Sequence, residues 1–233
     1  MPILDNETGE SLEYSQFCRH PKYKELCNTP YSNGLRRLCQ GDASGTSGEK
    51  KQHVKGTYTF RVIKFENISH DRRKEICHTS VICEVRPNKE EPNCTCITVK
   101  VNRVRYPGYV ATPIGSLELL KLIINSTISC TGASFDCFDI KNFYLDTPMD
   151  RSEYSRIKLS VITQEIIDEY NLLDYEHNRL IYFEIVRGYY GLPQSGRLAN
   201  DMLCKRLNKE GFLKHQQRQR SGATNGDPYN LCL

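Results

Sequence analysis

Tryptophan is missing from this chain and methionine occurs three times. No apolar run approaches the ~18 residues that a membrane-crossing helix requires. The N-terminal stretch MPILDNETGESLEYSQF carries neither the positive n-region nor the apolar core of a secretory signal. Cytosol or nucleus is therefore the expected compartment, and no membrane is expected as a partner. Paired C-x2-C knuckles are also lacking, although the chain has eleven cysteines. An odd count without an export signal predicts free thiols rather than a disulfide scaffold. Cys77, Cys83, Cys94 and Cys96 crowd together, but their spacing is not that of common structural zinc sites. No Gly-rich phosphate turn and no regular βαβ rhythm occur, which argues against a doubly wound sheet.

What is present fits a folded protein. The 233 residues are 38% hydrophobic and 26% charged, long enough for one large domain or two small ones, each with its own core. A net charge of +4 draws the chain only mildly toward polyanions.

Along the chain, residues 1–56 read as a polar lead-in, with a helical turn near Leu35 to Leu38 and a Gly/Ser-rich linker from Gly41 to Gly48. Strand alternation then begins: Tyr58, Phe60 and Val62, next Val81, Cys83 and Val85, and next Ile97, Val99 and Val101. These predict a small antiparallel sheet, with the charged, Pro-containing loop from Arg86 to Asn93 protruding. Ser116 is the expected N-cap of a helix whose Leu117, Leu120, Ile124 and Ile128 share one face and pack on the sheet. Further strands are predicted over Phe135 to Ile140, through Ile157, Leu159 and Val161, and over Leu180 to Val186. A short helix is predicted from Gln164 to Tyr170 and a longer one from Gln194 to Glu210, stopped by Gly211. The fold class is α+β, and residues 214–233 form a tail without periodicity.

The segment that can carry chemistry is Phe135 to Leu145, in which Asp139 closes an apolar run and Tyr144 follows five residues later. A carboxylate at a strand end can reach a metal while its backbone stays rigid. An isolated Asp more often caps a turn, and spacing alone favours that reading. Asp136, three residues earlier, would face the opposite side of such a strand and is set aside.

The run Phe138-Asp139-Ile140-Lys141-Asn142-Phe143-Tyr144-Leu145 resembles the first catalytic motif of reverse transcriptases from copia-type LTR retrotransposons. Tyr190-Gly191-Leu192-Pro193-Gln194-Ser195-Gly196 resembles that family's Tyr-Gly-Leu-x-Gln segment. Val85 to Pro92 and Tyr106-Pro107-Gly108 resemble its fingers. The likeness spans roughly residues 28–213, in order, and it makes 57–213 the fingers and partial palm of a right-hand polymerase fold. It implies RNA-directed DNA polymerase activity, with RNA template, DNA primer and deoxynucleoside triphosphate as partners.

Two Mg2+ ions are the implied cofactor, because their mutual repulsion must be screened by shared carboxylates. The resemblance makes Asp139 the catalytic, metal-bridging carboxylate and adds the Ile140 carbonyl to the metal shell. Tyr144 becomes the ring beneath the incoming sugar and Gln194 a nucleotide contact. Without the resemblance, Tyr144 reads as a core aromatic and Gln194 as a polar residue opening a helix. Arg72, Arg73 and Lys74 would meet triphosphate or template as mobile charges, or simply form a solvated turn. Where many relatives place a triphosphate-binding Arg, this chain has Ser80.

The family's second carboxylate motif, Tyr-x-Asp-Asp, has no counterpart, because no Asp-Asp pair occurs in the 233 residues. The expectation is therefore a polymerase fragment inactive alone. The alternative is a catalytically dead remnant that still binds nucleic acid.

Overall fold

The computed structural model describes residues 3–4, 11–12, 24–42, 54–85, 93–112, 116–137 and 139–211. The loop from Arg86 to Pro92, most of the Gly/Ser-rich run, Phe138 and the tail from 212 onward lie outside them.

Five strands form one mixed sheet. A two-residue pairing, β1 (Ile3–Leu4) with β2 (Ser11–Leu12), makes a separate ladder. The sheet strands are β3 (Phe60–Ile63), β4 (Cys77–Val85), β5 (Asn93–Lys100), β6 (Pro148–Lys158) and β7 (Leu180–Arg187), in the spatial order β3-β7-β6-β4-β5. Every neighbouring pair is antiparallel except β4 with β6, which is parallel. The expected α+β class therefore holds. The antiparallel grouping of the first three strands does not, because β3 pairs with β7 and only β4 and β5 form a hairpin. Alternation marks a strand's two faces but not its partner, which long-range closure decides.

The registers sort the faces. Phe60, Val62, Ile181, Phe183, Ile185, Ser155, Ile157, Cys77, Val99 and Ile97 occupy one side, and their apolar members enter a common core. Phe60, Phe183 and Tyr189 supply its aromatic centre, with ring centroids 5.4 and 5.0 Å from Phe60. Burial of this apolar face is the main favourable term in such a fold.

Helix α1 (Lys24–Leu38) contributes to that core, with Tyr31, Leu35 and Leu38 buried in it. It replaces the single turn expected near Leu35. Pro30 inside it and the run Ser32-Asn33-Gly34 weakened the helical signal in the sequence. The remaining helices are α2 (His70–Arg73), α3 (Leu117–Ser129), α4 (Gln164–Glu169) and α5 (Ser195–Lys209). Contacts with α4 compensate for the weak local signal of α1. Arg36 pairs with Glu169 at 2.7 Å and with Glu165 at 2.9 Å, and Ser32 Oγ lies 2.9 Å from Oγ1 of Thr163, the α4 N-cap. The backbone just past α1 receives Thr57 and Tyr58, whose N–H groups donate to the Arg37 and Cys39 carbonyls. Gly56 is required there, because an added Cβ would fall 2.3 Å from Gly41 N.

Three further expectations change. Helix α3 starts as predicted, with Ser116 Oγ accepting from Leu119 N at 3.1 Å. Its apolar face does not pack on the sheet: Leu117, Leu120, Ile124 and Ile128 are exposed, Ile128 at 80%. The described residues 135–137 and 139–140 form no strand, so Asp139 sits on a loop. The parity argument against Asp136 lapses with that strand. Finally, β6 begins at Pro148 rather than near Ile157, and Leu159–Val161 form a 3-10 turn.

Cys39, Cys77, Cys130, Cys137 and Cys204 are free thiols. Burial pushes the Cys39 thiol up to about 12 and raises Cys77 as well, so both are inert as nucleophiles. No described helix is long and apolar enough to cross a membrane.

Candidate functional site

The two motif segments are brought together although they are far apart in sequence. Residues 141–147 form a succession of turns in which Asn142 takes φ +57°, Asp146 N donates to Asn142 O and Thr147 N donates to Tyr144 O at 2.9 Å. Asn tolerates that left-handed backbone better than most side chains. Leu145 and Thr147 are buried and anchor the turns, and Thr147 Oγ1 donates to Phe143 O at 2.9 Å.

The loop after β7 docks directly on this anchor. Gly188 N donates to Thr147 O at 2.8 Å, and Tyr144 meets the Tyr190 ring edge-on at 5.1 Å. Tyr189 N donates to Ser195 Oγ at 2.9 Å, and Tyr189 O–H donates to Ile97 O. Burial raises the Tyr189 hydroxyl far above its ordinary range, so it remains a neutral donor.

Gly188 controls this junction, since a Cβ there would stand 2.7 Å from Tyr144 O. Gly188→Ala must displace one backbone segment from the other. The expected cost is about 1–3 kcal/mol, measured by urea unfolding followed by far-ultraviolet circular dichroism. A change within a few tenths of a kcal/mol would show that the junction yields freely.

The expected site residues have very different surroundings. Asp139 is exposed and makes no hydrogen bond or ion pair among the described residues. Ile140 is 46% exposed. Tyr144 is half-buried against Tyr190, while Lys74 is exposed just after α2. Gln194 is fully buried, and its Nε2 donates to Glu153 Oε1 at 2.9 Å while its Oε1 has no partner among the described residues. Ser80 lies half-buried in β4 opposite Thr98.

Glu153, which sequence reasoning passed over, is the hub of a charged cluster. It is 1% exposed and receives Arg72 Nη2 at 2.8 Å and Arg151 Nε at 3.1 Å. Glu75 Oε2 accepts from the same two guanidinium groups, each at 2.7 Å. Two cations and two carboxylates thus neutralise one another beside the core. Arg72 is not a mobile charge: it also donates to Ser152 O and lies over the Tyr154 ring. Arg73 is likewise held, donating to Ile68 O at 3.0 Å with its guanidinium 4.4 Å from the Phe65 centroid. Glu153 gave no usable signal because a polar residue at a core position of a strand breaks the alternation by which strands are found.

Among the described residues no three His, Cys, Asp or Glu side chains come together as a metal-holding group. Asp139 belongs to no such group among the described residues, and a single exposed carboxylate does not fit two bridged Mg2+ ions. No family model matches the chain, and no curated protein or solved structure matches it either.

Proposed function

We propose that this chain is a fingers and partial-palm portion of a copia-type retrotransposon reverse transcriptase, unable to polymerise by itself. One observation carries the reading. The segments Asp139 to Leu145 and Tyr190 to Gly196, whose residues resemble that family's motifs in order, are joined through Tyr144, Thr147, Gly188 and Tyr190. Motif residues that serve one active site must converge in space, whereas a chance likeness carries no such requirement.

In this reading Asp139 is the surviving metal carboxylate and Tyr144 the ring that would exclude a 2′-hydroxyl. Lys74 and Gln194 are the further nucleotide-side residues of this reading, Gln194 held by its bond to Glu153 at the start of α5. The missing element is the carboxylate doublet, without which Asp139 cannot hold two Mg2+ ions at bridging distance. RNA template, DNA primer and nucleotide remain the proposed partners of the complete polymerase.

Primer extension on an RNA template, with Mg2+ or Mn2+ and with Asp139→Asn alongside, is expected to give no synthesis above buffer from either protein. Asp139-dependent synthesis would refute the claimed inactivity. The lineage itself is tested by translating the transcript beyond the Leu233 codon in three frames. A Tyr-x-Asp-Asp segment is expected within a few tens of residues, and reading frames coding for an unrelated domain there would overturn the assignment.

The second reading, a remnant that binds nucleic acid without catalysis, is favoured by a different part of the sheet.

A further inference from the structure

The sheet face opposite the core is closed over β3 and β7, where Ile68 and Ile76 pack with Tyr182, Ile63 and Leu180. Over β5, β4 and β6 it presents a row of basic side chains. The registers place Lys100 opposite His78 and His78 opposite Arg156, so the three stand side by side on adjacent strands. Lys158, two residues beyond Arg156 on β6, points to the same face, and Arg103 follows β5 in the adjoining turn. Lys100, His78, Arg103 and Lys158 are exposed and Arg156 is half-buried.

No carboxylate pairs with Arg156 among the described residues. Its Nη2 lies 2.9 Å from His78 Nε2 and its Nε is enclosed without an acceptor. Guanidinium can only donate, so His78 Nε2 accepts and the ring is neutral, with its proton on Nδ1. Burial, together with Arg156, Arg103, Lys100 and Lys158, lowers the His78 pKa. Arg156, Lys100, Arg103 and Lys158 are thus four cations on one face with no carboxylate partner among the described residues, an arrangement that an anion would complete.

We propose that the outer face of β5-β4-β6, built from Lys100, His78, Arg103, Arg156 and Lys158, binds the phosphodiester backbone of nucleic acid. Lys100 and Arg156 stand two strands apart, about 9.6 Å, and Arg156 and Lys158 about 7 Å apart along β6, a spread that meets several phosphates of one strand rather than a single small anion. None of the exposed large hydrophobic residues among those described lies on β4, β5 or β6, where a peptide hot spot or a membrane-inserting face would need an anchor. The choice of an RNA–DNA hybrid as probe rests on the polymerase reading; the row itself does not.

The test is fluorescence anisotropy of a labelled RNA–DNA hybrid with the full chain. Inorganic polyphosphate, an acidic peptide and phosphatidylserine vesicles serve as competitors. With about four phosphate contacts, affinity is expected to fall about a hundredfold between ~50 and ~200 mM salt. Lys100→Gln with Lys158→Gln, both at exposed positions, should flatten that salt dependence to about tenfold, while Lys121→Gln with Lys209→Gln, the same loss of charge at exposed positions on α3 and α5, binds as the parent does. Hybrid binding should also raise the His78 ring pKa in an NMR titration, a response that a merely structural histidine would not show.

Binding that survives the double substitution unchanged, or no binding at ~50 mM salt, overturns the surface. Stronger competition by vesicles or acidic peptide than by unlabelled hybrid overturns the nucleic-acid assignment. Failure of the polymerase reading is distinguishable, because it is decided by the downstream Tyr-x-Asp-Asp and by primer extension. Equal affinity for hybrid and duplex DNA supports the surface while removing its support for that reading.

Discussion

Glu153→Ala is expected to lower the free energy of unfolding by about 3–5 kcal/mol, because it strands Arg72 and Arg151 with half their negative partners gone. The magnitude follows from burial. Glu153 is 1% exposed, and the side chains of Arg72 and Arg151 are 21% and 25% exposed, so water can only partly replace the lost carboxylate. Gln194 loses its Nε2 acceptor in the same step, and a buried donor left without a partner is itself costly. Glu153→Gln should be milder, since its amide oxygen still accepts from Gln194 Nε2 and Arg151 Nε, although its NH2 then faces the Arg72 donor and the charge is lost. Urea unfolding of the two variants beside the parent checks this order. If Glu153→Ala costs less than about 1 kcal/mol, the cluster is solvated in a way that its geometry does not convey.

Phe183→Ala is expected to cost about 3–5 kcal/mol through lost transfer energy and an unfilled cavity. Phe183 is 1% exposed, sits on the central strand pair β6-β7 and has its ring 5.4 Å from that of Phe60. For a chain of this length such a loss moves the melting midpoint down by about ten degrees. The absence of tryptophan makes near-ultraviolet circular dichroism chiefly a report on the tyrosines, so the melt also shows whether Tyr189 and its neighbours loosen with the core. A shift of only one or two degrees would mean that Phe60 and Tyr189 collapse into the space.

The two substitutions probe different consequences of one sheet face. Along β6 the core-side positions run Glu153, Ser155, Ile157, so a charged hub and an aliphatic core residue stand on the same side of the same strand. The charged end of that face orders Gln194 at the start of α5, and the apolar end carries the burial.

Several elements were legible before any tertiary contact was known. Strand β7, helix α5 and the hairpin strands β4 and β5 follow from local alternation or helical spacing, and Ser116 caps α3 as its side chain predicts. Gly211, at φ +86°, ends the last described helix as anticipated. Local signals suffice in these cases because backbone preference and binary pattern agree within a few residues.

The rest depended on partners distant in sequence. Helix α1 is held by Arg36 to residues more than a hundred positions away, which outweighs Pro30. The first half of β6 hid behind Asp150, Arg151, Ser152 and Glu153, polar residues whose satisfaction comes largely from Arg72, Glu75 and Gln194. Residues 135–140 carried an apolar strand pattern yet found no strand to pair with among the described residues.

By itself, then, the sequence determined the α+β class, most element positions and the ordered motif likeness around Asp139, because those are properties of short windows. Only the tertiary structure decided which strands pair, that Arg72 and Gln194 serve a buried charge cluster, and that Lys100, His78 and Arg156 form one row. Pairing and charge compensation are long-range: they depend on which side chains closure brings within a few ångströms, and no local pattern encodes that distance.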